Sequence, residues 1–269
     1  MLPLLLNHLR PSIQIALTDK PNAEQSWLGR SMAHWSLDKP VPVAGPTNLS
    51  ATLDQLLSAR PHHSKKSIGS PCHVSLVLPD DVARFEVLPW VESLMNADEI
   101  RQFAIERFEM MNQPVREGWV VQADWKTSNA NTLAYALPHP LLDGFNEIIA
   151  KHGMVLNRVI PISALAHYGR LNLMRRNELR VMHSGANTSA LLYLNGKLSA
   201  HLMEVVRGST DDSIRRLLVR LQMSVLTQEI QLHQLAILGL DTVALKDIIS
   251  INKPAKIHIL NPLRWGGWQ

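Results

Sequence analysis

Asp19, Asp80, Asp81 and Asp241 are the acids best placed to do chemistry, because each lies at or just beyond an apolar, strand-like run. A phosphate-handling enzyme needs such an acid beside a glycine-rich turn, where backbone amides can approach the phosphates. Asp19 or Asp241 comes nearest to that requirement, with one glycine beside the latter in Leu238-Gly239-Leu240-Asp241. Asp80 and Asp81 form a carboxylate pair straight after Pro79, and proline followed by aspartate is the composition of a turn. His62 and His63 are adjacent, but no third ligand stands at a fixed spacing, so a metal site is not expected. Cys72 precedes a strand-like run and reads as a small buried hydrophobe rather than a nucleophile. No Gly-x-x-x-x-Gly-Lys-Ser/Thr, His-Glu-x-x-His or Gly-x-Ser-x-Gly occurs, so no catalytic motif supports an enzyme.

The elements that must position these residues belong to an ordinary globular chain. Hydrophobic residues make up 46% of the 269 positions and charged residues 19%, which excludes disorder and supplies a substantial core. The formal charge of +4 is too small to imply nucleic acid. Arg175-Arg176 and Arg215-Arg216 read as solvated helix faces, and the basic helix 215–220 lacks the aromatic platform of a single-strand binder. One cysteine excludes an intrachain disulfide. The opening Met1-Leu2-Pro3-Leu4-Leu5-Leu6 is too short for a signal-peptide core, and no segment reaches the ~20 apolar residues of a membrane span. A cytoplasmic protein is the expectation.

Strand and helix patterns alternate along the chain. Ile13–Leu17 is a buried strand, with Trp27–Trp35 as its partner, and Leu49–Ala59 is a helix. Val74–Leu78 fits a central strand, followed by an alternating strand over Val82–Leu88. Ala97–Met111 is the clearest helix, capped by Asn96, with Ile100, Phe103, Ala104, Phe108 and Met111 on one stripe and Glu106, Arg107 and Glu109 mostly off it. Trp119–Lys126 and Thr132–Leu137 are strands, Leu141–His152 is a helix closed by Gly153, Met154–Ile160 is a strand and Ile162–Leu171 a helix. Asp212–Gln234 is the longest helix, Val243–Ile249 a short one, and Ala236–Leu240 and Ile257–Leu260 are the last strands. This order defines an α/β protein with a mixed sheet in each lobe.

Arg180–Leu198 is the most distinctive stretch. A short apolar run, the turn Ser184-Gly185-Ala186-Asn187 and a β-rich strand lead to Asn195-Gly196, the strongest short hairpin signal, with a third strand over Ser199–Val206. This resembles the second phosphate hairpin of actin-like ATPases, and in particular the PilM family of type IV pilus assembly and the cytoplasmic domain of the type II secretion protein GspL. Leu76-Val77-Leu78-Pro79, Leu88-Pro89 and Asp98-Glu99 carry the resemblance in the first half. Ala134-Tyr135-Ala136-Leu137-Pro138, Asn195-Gly196-Lys197-Leu198 and Leu260-Asn261-Pro262 continue it, in order, from about Val74 to Pro262.

The resemblance implies an actin-like (RNase H-like) two-lobe fold: residues 1–166 as the first lobe, an inserted α/β subdomain at about 82–137, and residues 167–269 as a reduced second lobe. It also exposes departures. Family members place an Asp before the second phosphate turn, where this chain has Met182 and His183. The first phosphate loop would fall at Gln14-Ile15-Ala16-Leu17-Thr18-Asp19, which contains no glycine. One glycine, Gly239, remains of the adenosine-side Gly-Gly turn, and only Arg207-Gly208-Ser209-Thr210 stands where a further subdomain is normally inserted. The implied protein is a non-catalytic scaffold without cofactor or metal. Its implied partner is the N-terminal cytoplasmic peptide of a single-pass inner-membrane assembly protein, which family members take in the cleft between the first lobe and its insert. Trp90, Phe103 and Arg107 are the expected partner-binding residues, with Trp90 as either anchor or core residue. The protein would then sit in the cytoplasm, peripheral to the inner membrane through that partner, with a homo-oligomer left open. The alternative is a divergent ATP-binding member of the superfamily.

Overall fold

The structure is a computed structural model that describes residues 12–18, 27–31, 34–37, 41–42, 49–58, 72–94, 96–125, 128–169, 177–184, 186–207, 209–225, 232–238 and 256–259. Asp19, His62, His63, Arg175, Arg176, Asp241 and the expected helix at Val243–Ile249 lie outside those residues.

The first sheet is built on β1 (Ser12–Thr18), β2 (Trp27–Ser31), β3 (His34–Leu37), β4 (Val41–Pro42), β5 (Cys72–Leu78) and β9 (Met154–Pro161). Its order is β2-β3-β1-β5-β9, with β4 also on β1. β1, β5 and β9 run parallel, and Val74–Leu78 is buried throughout, as befits a central strand covered on both faces. Trp27–Trp35 is not one strand but two, β2 and β3, which pair antiparallel with each other. Helices α1 (Leu49–Ser58) and α3 (His139–Lys151) lie together beside this sheet. Leu49, Leu53, Leu56 and Leu57 of α1 share a core with Phe145 and Ile149 of α3. Asp54 ties the two helices through Lys151 Nζ at 3.0 Å and His152 Nε2 at 2.8 Å. Gly153, at φ +70°, ends α3 in the left-handed region as its position after the helix requires. In β9, Asn157 is an extra residue: Val74 faces Leu156 but the next residue, Ser75, faces Arg158, so the outer strand carries a bulge.

A separate three-stranded sheet has the order β6-β8-β7, from β6 (Arg84–Leu88), β7 (Trp119–Gln122) and β8 (Thr132–Pro138). Along β8 the side chains divide by alternation. Leu133, Tyr135 and Leu137 join the core of the first sheet, while Ala134 and Ala136 face helix α2 (Ala97–Met110). The two alanines let Ala104 and Phe108 approach closely, and both are fully buried. Asn96 caps α2 by accepting the Glu99 N–H at 2.9 Å.

The third sheet has the order β12-β11-β10-β13-β14, from β10 (Glu178–Ser184), β11 (Asn187–Leu194), β12 (Lys197–Val205), β13 (Gln234–Leu238) and β14 (Lys256–Ile259). Asn195 and Gly196 have φ +50° and +81°, the two positive values that a tight type I′ turn requires. Leu179, Val181, Ala190 and Leu192 face helix α5 (Thr210–Val225), which buries Ile214, Leu217, Leu218 and Leu221 against them. Met182, Leu191, Tyr193 and Leu198 face the other way, into the core of the first sheet. Helix α5 starts two residues before Asp212 because Ser209 Oγ accepts the Asp212 N–H at 3.1 Å. It does not run to Gln234, which instead opens β13 by pairing with Glu178.

Candidate functional site

Beyond the carboxyl ends of parallel strands is where α/β folds place their ligands. β5 delivers Asp80 to that point. Its carboxylate is fully buried and accepts three hydrogen bonds: Ser163 N–H to Oδ1 at 2.9 Å, Ser163 Oγ to Oδ2 at 2.6 Å, and Ser189 Oγ to Oδ2 at 2.5 Å. Asp80 does open a 3-10 turn, Asp80–Val82, but it is not the solvated turn residue that the Pro-Asp composition suggests. Asp81 lies near the backbone N–H of Ala186 in the hairpin turn, which favours its carboxylate, and its Oδ1 is buried with no partner among the described residues. Burial raises the pKa of both carboxyls; for Asp80 it outweighs the three hydrogen bonds.

On the hairpin side Met182 stands directly opposite Ser189 and is fully buried. The carboxylate at this place therefore comes from the end of β5 and not from the hairpin. Ser163 Oγ also lies 3.3 Å from His201 Nε2. Aspartate, serine and histidine thus meet, but in an order that cannot make a nucleophile. Ser163 gives its hydrogen to Asp80, so His201 Nε2 donates to Ser163 Oγ and cannot act as its base. The His201 ring rests against Phe85 at 4.7 Å, and burial pushes its pKa down to about 4. The arrangement holds elements together and does not activate a reacting group.

Helix α4 (Ile162–Tyr168) joins this cluster to a second one. Thr132 Oγ1 donates to the Asp124 carbonyl at 2.5 Å and therefore accepts from His167 Nε2 at 3.2 Å. His167 Nδ1 lies 3.1 Å from the Tyr193 hydroxyl. Tyr168 donates its hydroxyl to the Leu133 carbonyl at 2.8 Å and accepts the Asp124 N–H at 3.2 Å. Buried Arg180 pairs with Glu178 at 2.8 Å and donates to the Ala166 carbonyl at 2.5 Å. Side chains of α4 therefore reach the turn after β5, the small sheet and the third sheet.

An open groove of about 520 Å³ is lined by residues of β7, β8 and β9, by Leu142 and Asn146 of α3, and by Tyr168 at the end of α4. β7 and β9 are outer strands of their sheets. Val120 and Gln122 line one wall, and Leu156, Asn157, Arg158 and Val159 the other. Tyr135 and Leu137 of β8 contribute from the middle of the small sheet, and Tyr168 with Asp124 closes one end. Apolar patches with a few polar groups on a concave surface suit a ligand or peptide site. Burial pushes the Tyr135 hydroxyl up to about 12, with the nearby Arg158 guanidinium partly opposing it, so Tyr135 remains a hydrogen-bonding phenol at any ordinary pH.

The three expected partner-binding residues do not line this groove. Phe103 packs on the core between α2 and the small sheet, and Arg107 pairs with Glu86 at 3.2 Å. Both belong to the helix on the opposite face of that sheet. Trp90 is half-buried and meets Trp125 edge-on at 5.3 Å. Sequence reasoning missed Tyr135, Arg158 and Tyr168. The one usable signal was the large-small alternation of Leu133-Ala134-Tyr135-Ala136-Leu137, which marks a strand with two different faces. Among the described residues no cluster of His, Cys, Asp or Glu is placed to hold a metal, and no helix is long and apolar enough to cross a membrane.

No family sequence model matches the chain, and no curated protein sequence matches it. Solved structures do. A Bacteroides thetaiotaomicron protein with an actin-like ATPase fold and unknown function superposes with a TM-score of 0.58 at 11% identity, over 96% of this chain and 93% of its own. The PilM–PilN type IV pilus biogenesis complex gives a TM-score of 0.49 at 16% identity, over 88% of this chain and 84% of that one. The cytoplasmic domain of EpsL, an inner-membrane component of the Vibrio cholerae type II secretion system, gives 0.47 at 12% identity, over 94% and 86%. The fold is α/β and actin-like.

Proposed function

We propose that this chain is a non-catalytic actin-like scaffold. Its β7–β9 groove takes a short extended segment from the cytoplasmic N-terminus of a membrane-anchored partner, in machinery of the type IV pilus or type II secretion kind. The observation that carries this reading is the groove itself, walled by outer strands of two different sheets. An extended peptide entering it meets strands that end their sheets among the described residues, for main-chain hydrogen bonds, and apolar side chains for alternate residues. The sequence resemblance to the PilM and GspL families supplies the class of partner. In this reading the protein works at the cytoplasmic face of the inner membrane without inserting into it.

The non-catalytic part rests on the cleft. Where a nucleotide's phosphates and metal would need glycine-rich turns and a hairpin acid, the chain has Met182 in the hairpin, and Asp80 and Asp81 already engage Ser163, Ser189 and Ala186. Titration calorimetry with ATP and magnesium is expected to show no saturable heat up to about millimolar ligand. Micromolar affinity would overturn the scaffold reading in favour of a divergent ATP-binding protein. For the groove, a photo-crosslinking amino acid at Gln122 in the native host is expected to capture a membrane-fraction protein through its N-terminal segment. The same probe at Gln102, exposed on α2, is the control. Equal capture from both positions would remove the groove as the docking site.

A further inference from the structure

Helix α4 has seven residues, and they touch both the Asp80 cluster and the open groove. Ser163 at its start binds Asp80. His167 at its end lies against Tyr193 of the third sheet and Thr132 of the small sheet. Tyr168, the next residue, closes the end of the groove and fixes Asp124 there. Seven residues span about 10 Å, so the two ends form a rigid strut with little slack. The hairpin is held from the opposite side by the same short segment: Asp80 takes the Ser189 hydroxyl, and the Asp81 carboxylate lies near the Ala186 amide. The Ala186 amide belongs to a turn between antiparallel strands, the kind of backbone position that elsewhere binds external anions. Here the Asp81 carboxylate stands near it.

We propose that Asp80 and Asp81 form an internal latch that fastens the third sheet to the first. Helix α4 transmits the state of that latch to the β7–β9 groove. Latch closed, Tyr168 and Thr132 hold Asp124 in place and the groove keeps its shape. Latch open, α4 loses its anchor at Ser163 and the Asp124 end of the groove loosens. The coupling is a property of the free chain, so it stands or fails without any partner and independently of the docking reading.

Hydrogen exchange on the full chain tests it, with three variants. Ser189→Ala removes one donor from Asp80, Asp81→Asn weakens the acceptor at Ala186, and Tyr168→Phe deletes the hydroxyl at the groove end. Ser189→Ala and Asp81→Asn are expected to speed exchange at residues 120–124 by about tenfold, besides the local increase at 186–191. Coupling is reciprocal, so Tyr168→Phe is expected to speed exchange at 186–191. Helix α2, outside both clusters, should exchange as in the native chain. A groove unmoved by the hairpin variants overturns the proposal, as does a hairpin unmoved by Tyr168→Phe. An even acceleration that includes α2 also overturns it, because that is general destabilisation and not transmission.

Discussion

Asp80→Ala is expected to destabilise the protein by about 3 kcal/mol, and Asp80→Asn by no more than about 1 kcal/mol. Alanine strands the Ser163 N–H and two buried serine hydroxyls, and it leaves a void in a site with no access to water. Asparagine keeps the oxygen for Ser163 N–H and offers an amide to the hydroxyls, which can rotate to accept it. The pair also has a pH signature. Because the folded-state pKa of Asp80 is raised above its ordinary 3.8, the folded chain holds the proton longer than the unfolded chain does. That contribution is complete below 3.8 and is lost as pH rises through the elevated value. The stability of the native chain relative to Asp80→Asn should therefore fall as pH climbs above about 4. Urea denaturation of the three proteins between pH 4 and 7 reads both effects; equal losses for Ala and Asn would show that the hydrogen bonds asparagine preserves contribute nothing.

The second large effect belongs to His201 and runs the other way. Burial lowers its ring from 6.5 to about 4, so on acidification the unfolded chain takes up this proton first. The stabilisation is full above pH 6.5 and is lost as pH falls from there toward 4. Between pH 7 and pH 5 the loss is about 2 kcal/mol, at ~1.4 kcal/mol per unit. His201→Gln retains an N–H for Ser163 Oγ but cannot titrate, so its stability should fall less over that interval. Parallel pH profiles for the two proteins would mean that the ring is solvated and titrates normally.

These opposed slopes arise within one cluster that local sequence could not reveal. Asp80 is separated by 83 residues from Ser163 and by 109 from Ser189. What the sequence displays at Asp80 is only a proline and a second aspartate, the ingredients of a turn. Features settled by neighbouring residues were legible: the Asn195-Gly196 turn, the Asn96 cap, the Gly153 stop and the buried run of β5. Features settled by pairing across the chain were not. Gln234 looks like a helix residue until β10 is beside it, and Trp27–Trp35 looks like one strand until β3 turns back on β2. The groove was not legible for the same reason. Helical periodicity identified the stripe of α2, but which face of the small sheet would remain open depends on how that sheet meets β9.

The extra residue at Asn157 has one more consequence. Outer strands invite pairing with any strand that arrives, including those of a second copy of the same chain. A flat β9 would let two molecules zip together along the whole of Met154–Pro161. The bulge breaks the spacing of main-chain donors and acceptors midway, so that a long, regular intruder loses register after a few residues. A short guest is not penalised, since it needs only the stretch on one side. The irregularity thus interrupts the register that open-ended strand addition, the route by which edge-exposed proteins aggregate, would need.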